Sequence, residues 1–201
     1  MSTIKPSLKD PEQTRLHNIV DMGLTFSAMF RLFEKGSKPI IKRKIIDSIN
    51  QLPTVNSKDD YISIHREFCL WRTKSLQLAE KWRNGKQIKV SKPASFGQVA
   101  KTYDVVLTVV VYYGKWPDAH TSDMILKWIN AAVDNKMMRF LKTEYPNVFE
   151  SWPNSVEDVN EAIYNKLQNL VIRFINEKHE GRILPVQFGD IYWNVLNRKS
   201  G

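Results

Sequence analysis

At 201 residues, 42% hydrophobic and 25% charged, the chain has the balance of an ordinary globular domain, which excludes a largely disordered polymer and allows a sizeable buried core. The 30 lysines and arginines against 21 acids give a net charge of +9, a field that favours polyanionic partners, nucleic acid first. The single cysteine, Cys69, excludes an internal disulfide and any thiolate metal cluster within one chain, and fits a reducing, intracellular, cytoplasmic setting.

The opening "MSTIKPSLKDPEQ" is polar and has no apolar stretch of signal-peptide type, so residues 1–10 read as a flexible tail. Apolar residues then recur at helical spacing. Leu16, Ile19, Val20, Leu24, Met29, Phe30 and Phe33 predict a helix over 11–34, stopped by Lys35-Gly36. Ile41, Ile45, Ile46 and Ile49 predict a second over 38–52. Ser57 with Asp60 resembles a capping box and opens a long helix to about residue 84, with Tyr61, Ile64, Phe68, Trp71, Leu78 and Trp82 as its stripe. A polar connector leads to Ser95 and Gln98, again spaced as a capping box, and to a helix over 96–113. The β-branched run 105–111 has strand character, but its helical flanks favour a buried helix. Short helices are expected over 122–131 and 134–144, the second ended by Pro146. "SVED" at 155–158 reads as the cap of a long helix through Val159, Ile163, Leu167, Leu170, Val171 and Phe174, and a turn or helix at 190–197 follows. The expected fold is all-α: one compact domain over 1–201, a multi-helix bundle of about seven to nine helices.

No apolar run has the length a bilayer crossing needs, so no membrane partner is expected. His17, His65, His120 and His179 form no local ligand pair, and no metal or cofactor is expected. Cys69 lies in an amphipathic pattern and reads as a core thiol. Glycine-rich phosphate loops and the nucleophile-elbow motif of hydrolases are absent from the sequence.

The positive charge is clustered. Arg72, Lys74, Lys81, Arg83, Lys86, Lys89, Lys92 and Lys101 face one acid, Glu80, within thirty residues. The run ends at the start of the helix near Ser95, where backbone N–H groups and the helix dipole favour an anion. Arg72 to Lys92, with Gly97, are therefore candidates for phosphate contact; a solvated cationic face is the plainer alternative.

Two segments, "GQVAKTYDVVLTVVV" and "AAVDNKMMRFL", carry a distant resemblance to the helix-hairpin-helix DNA glycosylases, in the branch that removes 8-oxoguanine. The resemblance covers 96–145, about a quarter of the chain. It matches Lys101 to a lysine that heads an apolar helix, and Val133-Asp134 with Met137 to the aspartate segment that opens the next. It implies a DNA glycosylase, with or without lyase activity, acting on double-stranded DNA, with Lys101 as nucleophile and Asp134 as a carboxylate that stabilises positive charge on the sugar. Each residue also has a structural role open to it: aspartate is among the best N-caps, and a lysine one turn into an amphipathic helix can extend to the surface. Two further functions remain open beside the enzyme. One is a non-catalytic, basic nucleic-acid-binding module; the other is a protein-interaction bundle with Trp116, Trp128 and Trp152 as anchors. The oligomeric state is not legible in the sequence.

Overall fold

The computed structural model describes residues 10–83, 86–89 and 91–197, and the fold over these residues is all-α. Helix α1 (Pro11–Phe26) starts where Asp10 accepts the Glu12 N–H and Pro11 supplies a pre-set φ. It is followed by a 3₁₀ turn (Ala28–Leu32), α2 (Ser37–Ile49), a second short 3₁₀ turn, and α3 (Lys58–Ser75). The Ser57–Asp60 box forms as expected: the Asp60 N–H donates to Ser57 Oγ and the Ser57 N–H donates back to Asp60 Oδ2.

The long third helix of the sequence reading is corrected. It ends at Ser75, and the chain then makes two short antiparallel pairs: β1 (Gln77–Leu78) with β4 (Lys92–Pro93), and β2 (Lys81–Arg83) with β3 (Lys86–Lys89). Leu78 is buried by β1, which is tied to the first turn's exit through Ala79 N–H to Leu32 O (2.8 Å) and Glu34 N–H to Gln77 O (3.1 Å).

Helix α4 (Phe96–Leu107) is the centre of the molecule, with α1, α3 and α7 and the 3₁₀ turn Val156–Asp158 packed against it. Ten of its twelve residues are buried. The valine run continues it as a π-helical stretch (Thr108–Tyr113), not as a strand, with Val109, Val110 and Val111 buried. Gly23 lets α1 approach α4 closely; a Cβ there would lie 2.9 Å from Val106 Cα.

Helix α5 (Ala119–Leu126) starts and ends earlier than expected because Asp118 caps it, accepting the Thr121 N–H and hydroxyl. Residues 127–134 are turns and extended chain up to α6 (Asn135–Glu144). Ser155 caps only its own 3₁₀ turn, and Asn160 is the cap of α7 (Glu161–His179), since Val159 is already extended. α8 (Phe188–Asn197) closes the described chain by packing on α6, with Phe188 and Tyr192 against Phe140 and Phe174. No helix among the described residues is long and apolar enough to cross a membrane.

A candidate cleft between two helices

The capping box of α4 has a consequence one turn later. The Ser95 N–H donates to Gln98 Oε1 and the Gln98 N–H to Ser95 Oγ, which fixes the helix start and with it the direction of Lys101. At α6 the start is fixed by Asp134, whose Oδ1 accepts the N–H groups of Lys136 (2.9 Å) and Met137 (2.8 Å). One oxygen is thus committed to the helix, and the other faces Lys101: Nζ and Oδ2 are 3.8 Å apart. The two residues, 33 positions apart in sequence, meet in one open cleft of about 420 Å³, whose walls include Met29, Leu32, Gln98 and Arg139.

The Lys101 side chain is only 17% exposed. Burial lowers its pKa from the ordinary lysine value; the Asp134 carboxylate works against that shift and the nearby Lys136 adds to it. A separation of 3.8 Å is too long for a hydrogen bond, so the carboxylate acts on the amine through its charge alone. An amine eased toward neutrality beside a carboxylate in a water-accessible cleft can attack an electrophilic carbon while the carboxylate faces the charge that develops.

The segment that carries Asp134 is held from behind. Gln168 of α7, itself buried, accepts the Ala131 N–H (3.1 Å) and donates to the Ala131 carbonyl (2.8 Å), replacing the pairing that a strand would supply to residues 127–134. Asn135 Oδ1 accepts the Val156 N–H (3.1 Å) and joins α6 to the 3₁₀ turn on the cleft's far wall. Asn135 and Arg139 are cleft residues that the sequence reading did not single out, and Gln98 was read only as a capping residue; the neighbourhood of Asp134 and the i+4 spacing of Asn135 and Arg139 were the available signals.

The expected phosphate seat at the start of α4 is corrected. Gly97 is buried, its N–H donates to Val159 O (2.9 Å), and a Cβ on it would stand 2.5 Å from Val159 Cβ and 2.7 Å from Val156 O. Gln98 and Val99 bond back to Ser95, so the donors of this helix start are used for packing and capping rather than left for an anion. Lys92 is exposed and forms an ion pair with Glu157. Arg72 and Lys74 belong to the last turn of α3, and Lys81, Arg83, Lys86 and Lys89 to the β2–β3 pair, whose register sets Lys81 opposite Lys89 and Arg83 opposite Lys86; the side chains of these six lie outside the described residues.

One turn beyond Lys101 on α4 lies a second aspartate, in a wholly different setting. Asp104 is fully buried; its Oδ1 is 2.8 Å from His65 Nε2, and its Oδ2 accepts the Tyr164 hydroxyl (2.7 Å). Tyr164 stacks on the His65 ring, and Cys69 Sγ lies 3.8 Å from His65 Nδ1. Burial by itself would drive the His65 ring neutral, but Cys69 and the Asp104 carboxylate, on either side of the ring, together outweigh it and raise the histidine pKa well above its ordinary value. Burial also raises the Cys69 thiol, with His65 working against that shift, and the residue belongs to the core. Asp104 follows Lys101 by three residues on the same helix, yet its partners are His65 and Tyr164.

Trp116 and Trp152 are buried and so are no surface anchors; Trp152 donates to Pro146 O (3.0 Å), while Trp128 is half-buried with Lys127 over its ring. Among the described residues, no group of three or more His, Cys, Asp or Glu side chains is placed to hold a metal ion. Comparison with protein-family models, with curated proteins and with solved structures finds no match to this chain.

Proposed function

We propose that the chain is a DNA-binding protein that excises a damaged or modified base from duplex DNA, with Lys101 as nucleophile and Asp134 as the stabilising carboxylate. The observation that carries this reading is the meeting of a largely buried lysine amine and a carboxylate, 3.8 Å apart, in one open cleft. The net charge of +9 favours a polyanionic substrate.

In this reading the target nucleotide leaves the stack and its sugar enters the cleft. The neutral Lys101 amine attacks C1′. The C1′–N bond breaks with its electron pair going to the base, which takes up one of the two protons carried by the attacking Nζ as it departs. Asp134, negatively charged, stabilises the positive charge that builds on the sugar during this step. The C1′–O4′ bond then opens with its electron pair going to O4′, which takes the remaining Nζ proton, and a Schiff base joins Lys101 to C1′. A reducing, cytoplasmic environment suits a chain whose one cysteine is an unpaired, buried thiol.

Borohydride reduction in the presence of DNA duplexes carrying a panel of modified bases tests the mechanism. A covalent adduct that maps to Lys101 and disappears in Lys101→Gln is expected. No adduct and no base release across the panel would remove the enzyme and leave the non-catalytic binding module.

A further inference from the structure

Two clefts open along α6, and they share Asn135 and Arg139. The first holds Lys101 and Asp134; the second, about 230 Å³, has Lys142, Trp152 and Asn154 in its walls. Because the same two side chains line both, the clefts are successive parts of one trough that follows the helix.

Cations outnumber acids in its walls, with Lys101, Lys136, Arg139 and Lys142 against Asp134 and Glu157. Lys136, Arg139 and Lys142 recur every three residues on α6, so they form a ridge along the trough, while Met137, Met138 and Leu141 turn inward. Six residues of helix span about 9 Å. One DNA strand places a phosphate about every 3.4 Å of axis, so the ridge matches two to three consecutive phosphates. The acids in the walls of the trough are already engaged: Asp134 faces Lys101 and caps α6, and Glu157 pairs with Lys92. Arg139 and Lys142 are exposed and have no carboxylate partner among the described residues.

We infer that the ridge Lys136–Arg139–Lys142 grips consecutive phosphates of the strand that carries the target nucleotide, leading it past the mouth of the Lys101–Asp134 cleft. This rests on the proposed function for the nature of the strand, and it assigns the main phosphate contact to α6 rather than to the start of α4. A strand is favoured over an acidic protein because the cations are evenly spaced in a line that begins at the candidate reaction centre.

The test is a double variant, Arg139→Gln with Lys142→Gln, compared with wild type and with the charge-conserving Arg139→Lys, Lys142→Arg. The probe is a short duplex with a central reduced abasic site, and affinity is measured over a series of KCl concentrations. Each lost phosphate contact flattens the slope of log affinity against log salt by about 0.9, so the neutral variant should be shallower by nearly two and the conservative one unchanged. Both positions are exposed, and an unaltered melting temperature verifies that the fold is intact. An unchanged slope in the neutral variant overturns the inference whatever Lys101 does. A flattened slope with no base release in the borohydride experiment sinks the enzyme and leaves the strand contact standing. Equal competition by a polyglutamate peptide would assign the ridge to an acidic protein and overturn it.

Discussion

Helix α4 carries two charged residues one turn apart, and each meets an oppositely charged partner in a different way. Asp104 is sealed: every part of its carboxylate is used, by His65 at 2.8 Å and Tyr164 at 2.7 Å, with no exposure to water. Lys101 is partly sealed: its amine reaches Asp134 only at 3.8 Å, across a cleft open to solvent. The pKa directions follow. His65 is raised because Cys69 and a fixed carboxylate together overcome burial, whereas Lys101 is lowered because burial overcomes a loosely placed carboxylate. A complete, buried pair stabilises one arrangement and has no spare valence for chemistry; an incomplete pair at a surface retains a reactive group.

The contrast can be broken most severely at its sealed end. Asp104→Ala should cost about 3–5 kcal/mol in urea denaturation, the usual result of stripping one member from a buried pair. Tyr164→Phe leaves one carboxylate oxygen without its donor and should cost about 1–3 kcal/mol. The pair also predicts a pH dependence. Because the folded His65 pKa lies above its unfolded value, its contribution is complete below about pH 6.5 and is lost as the pH rises through the folded value. Denaturation of wild type and Asp104→Asn across this range should show that slope in the first and lose it in the second.

Gly97→Ala is next in size. Its Cβ would collide with Val159 and with the Val156 carbonyl, so the 3₁₀ turn must move away from α4, at about 1–3 kcal/mol. Since Val156 and Glu157 line the cleft, trapping by Lys101 should weaken alongside the thermal shift. This variant links the two regions, because it alters the cleft from the buried side.

At the open end the effects on stability are smaller and those on chemistry larger. Asp134→Ala removes the α6 cap and should cost about 1 kcal/mol, while Asp134→Asn keeps a good capping side chain and should be near neutral. Asparagine retains the acceptor for Lys136 and Met137 but carries no charge, so adduct formation should fall in both variants with the fold preserved in the second. The rate of trapping in wild type should rise with pH as Lys101 passes through its lowered pKa. In Asp134→Asn that limb should move to lower pH, since the carboxylate that favours the protonated amine is gone. A limb that stays in place would show that the amine does not sense Asp134.

Periodicity alone was enough for the all-α class, because the apolar stripes of α1, α2, α4 and α7 repeat at three and four residues over many turns. The caps at Ser57, Ser95 and Asp134 were legible for the same reason: they depend on side chains that bond their own backbone within three residues. The β1–β4 and β2–β3 pairs were not, since strand pairing depends on partners up to sixteen residues away and on the segment at 32–34. Nor was the environment of α4. Two side chains one turn apart look alike in a list of residues, Lys101 and Asp104, and only the packing of α3 and α7 on one side and of α6 on the other made one a buried ion pair and the other the wall of a cleft. Local spacing specifies which backbone groups a side chain can reach; solvent access and distant charge partners are properties of the assembled core, and those decide what an ionisable group can do.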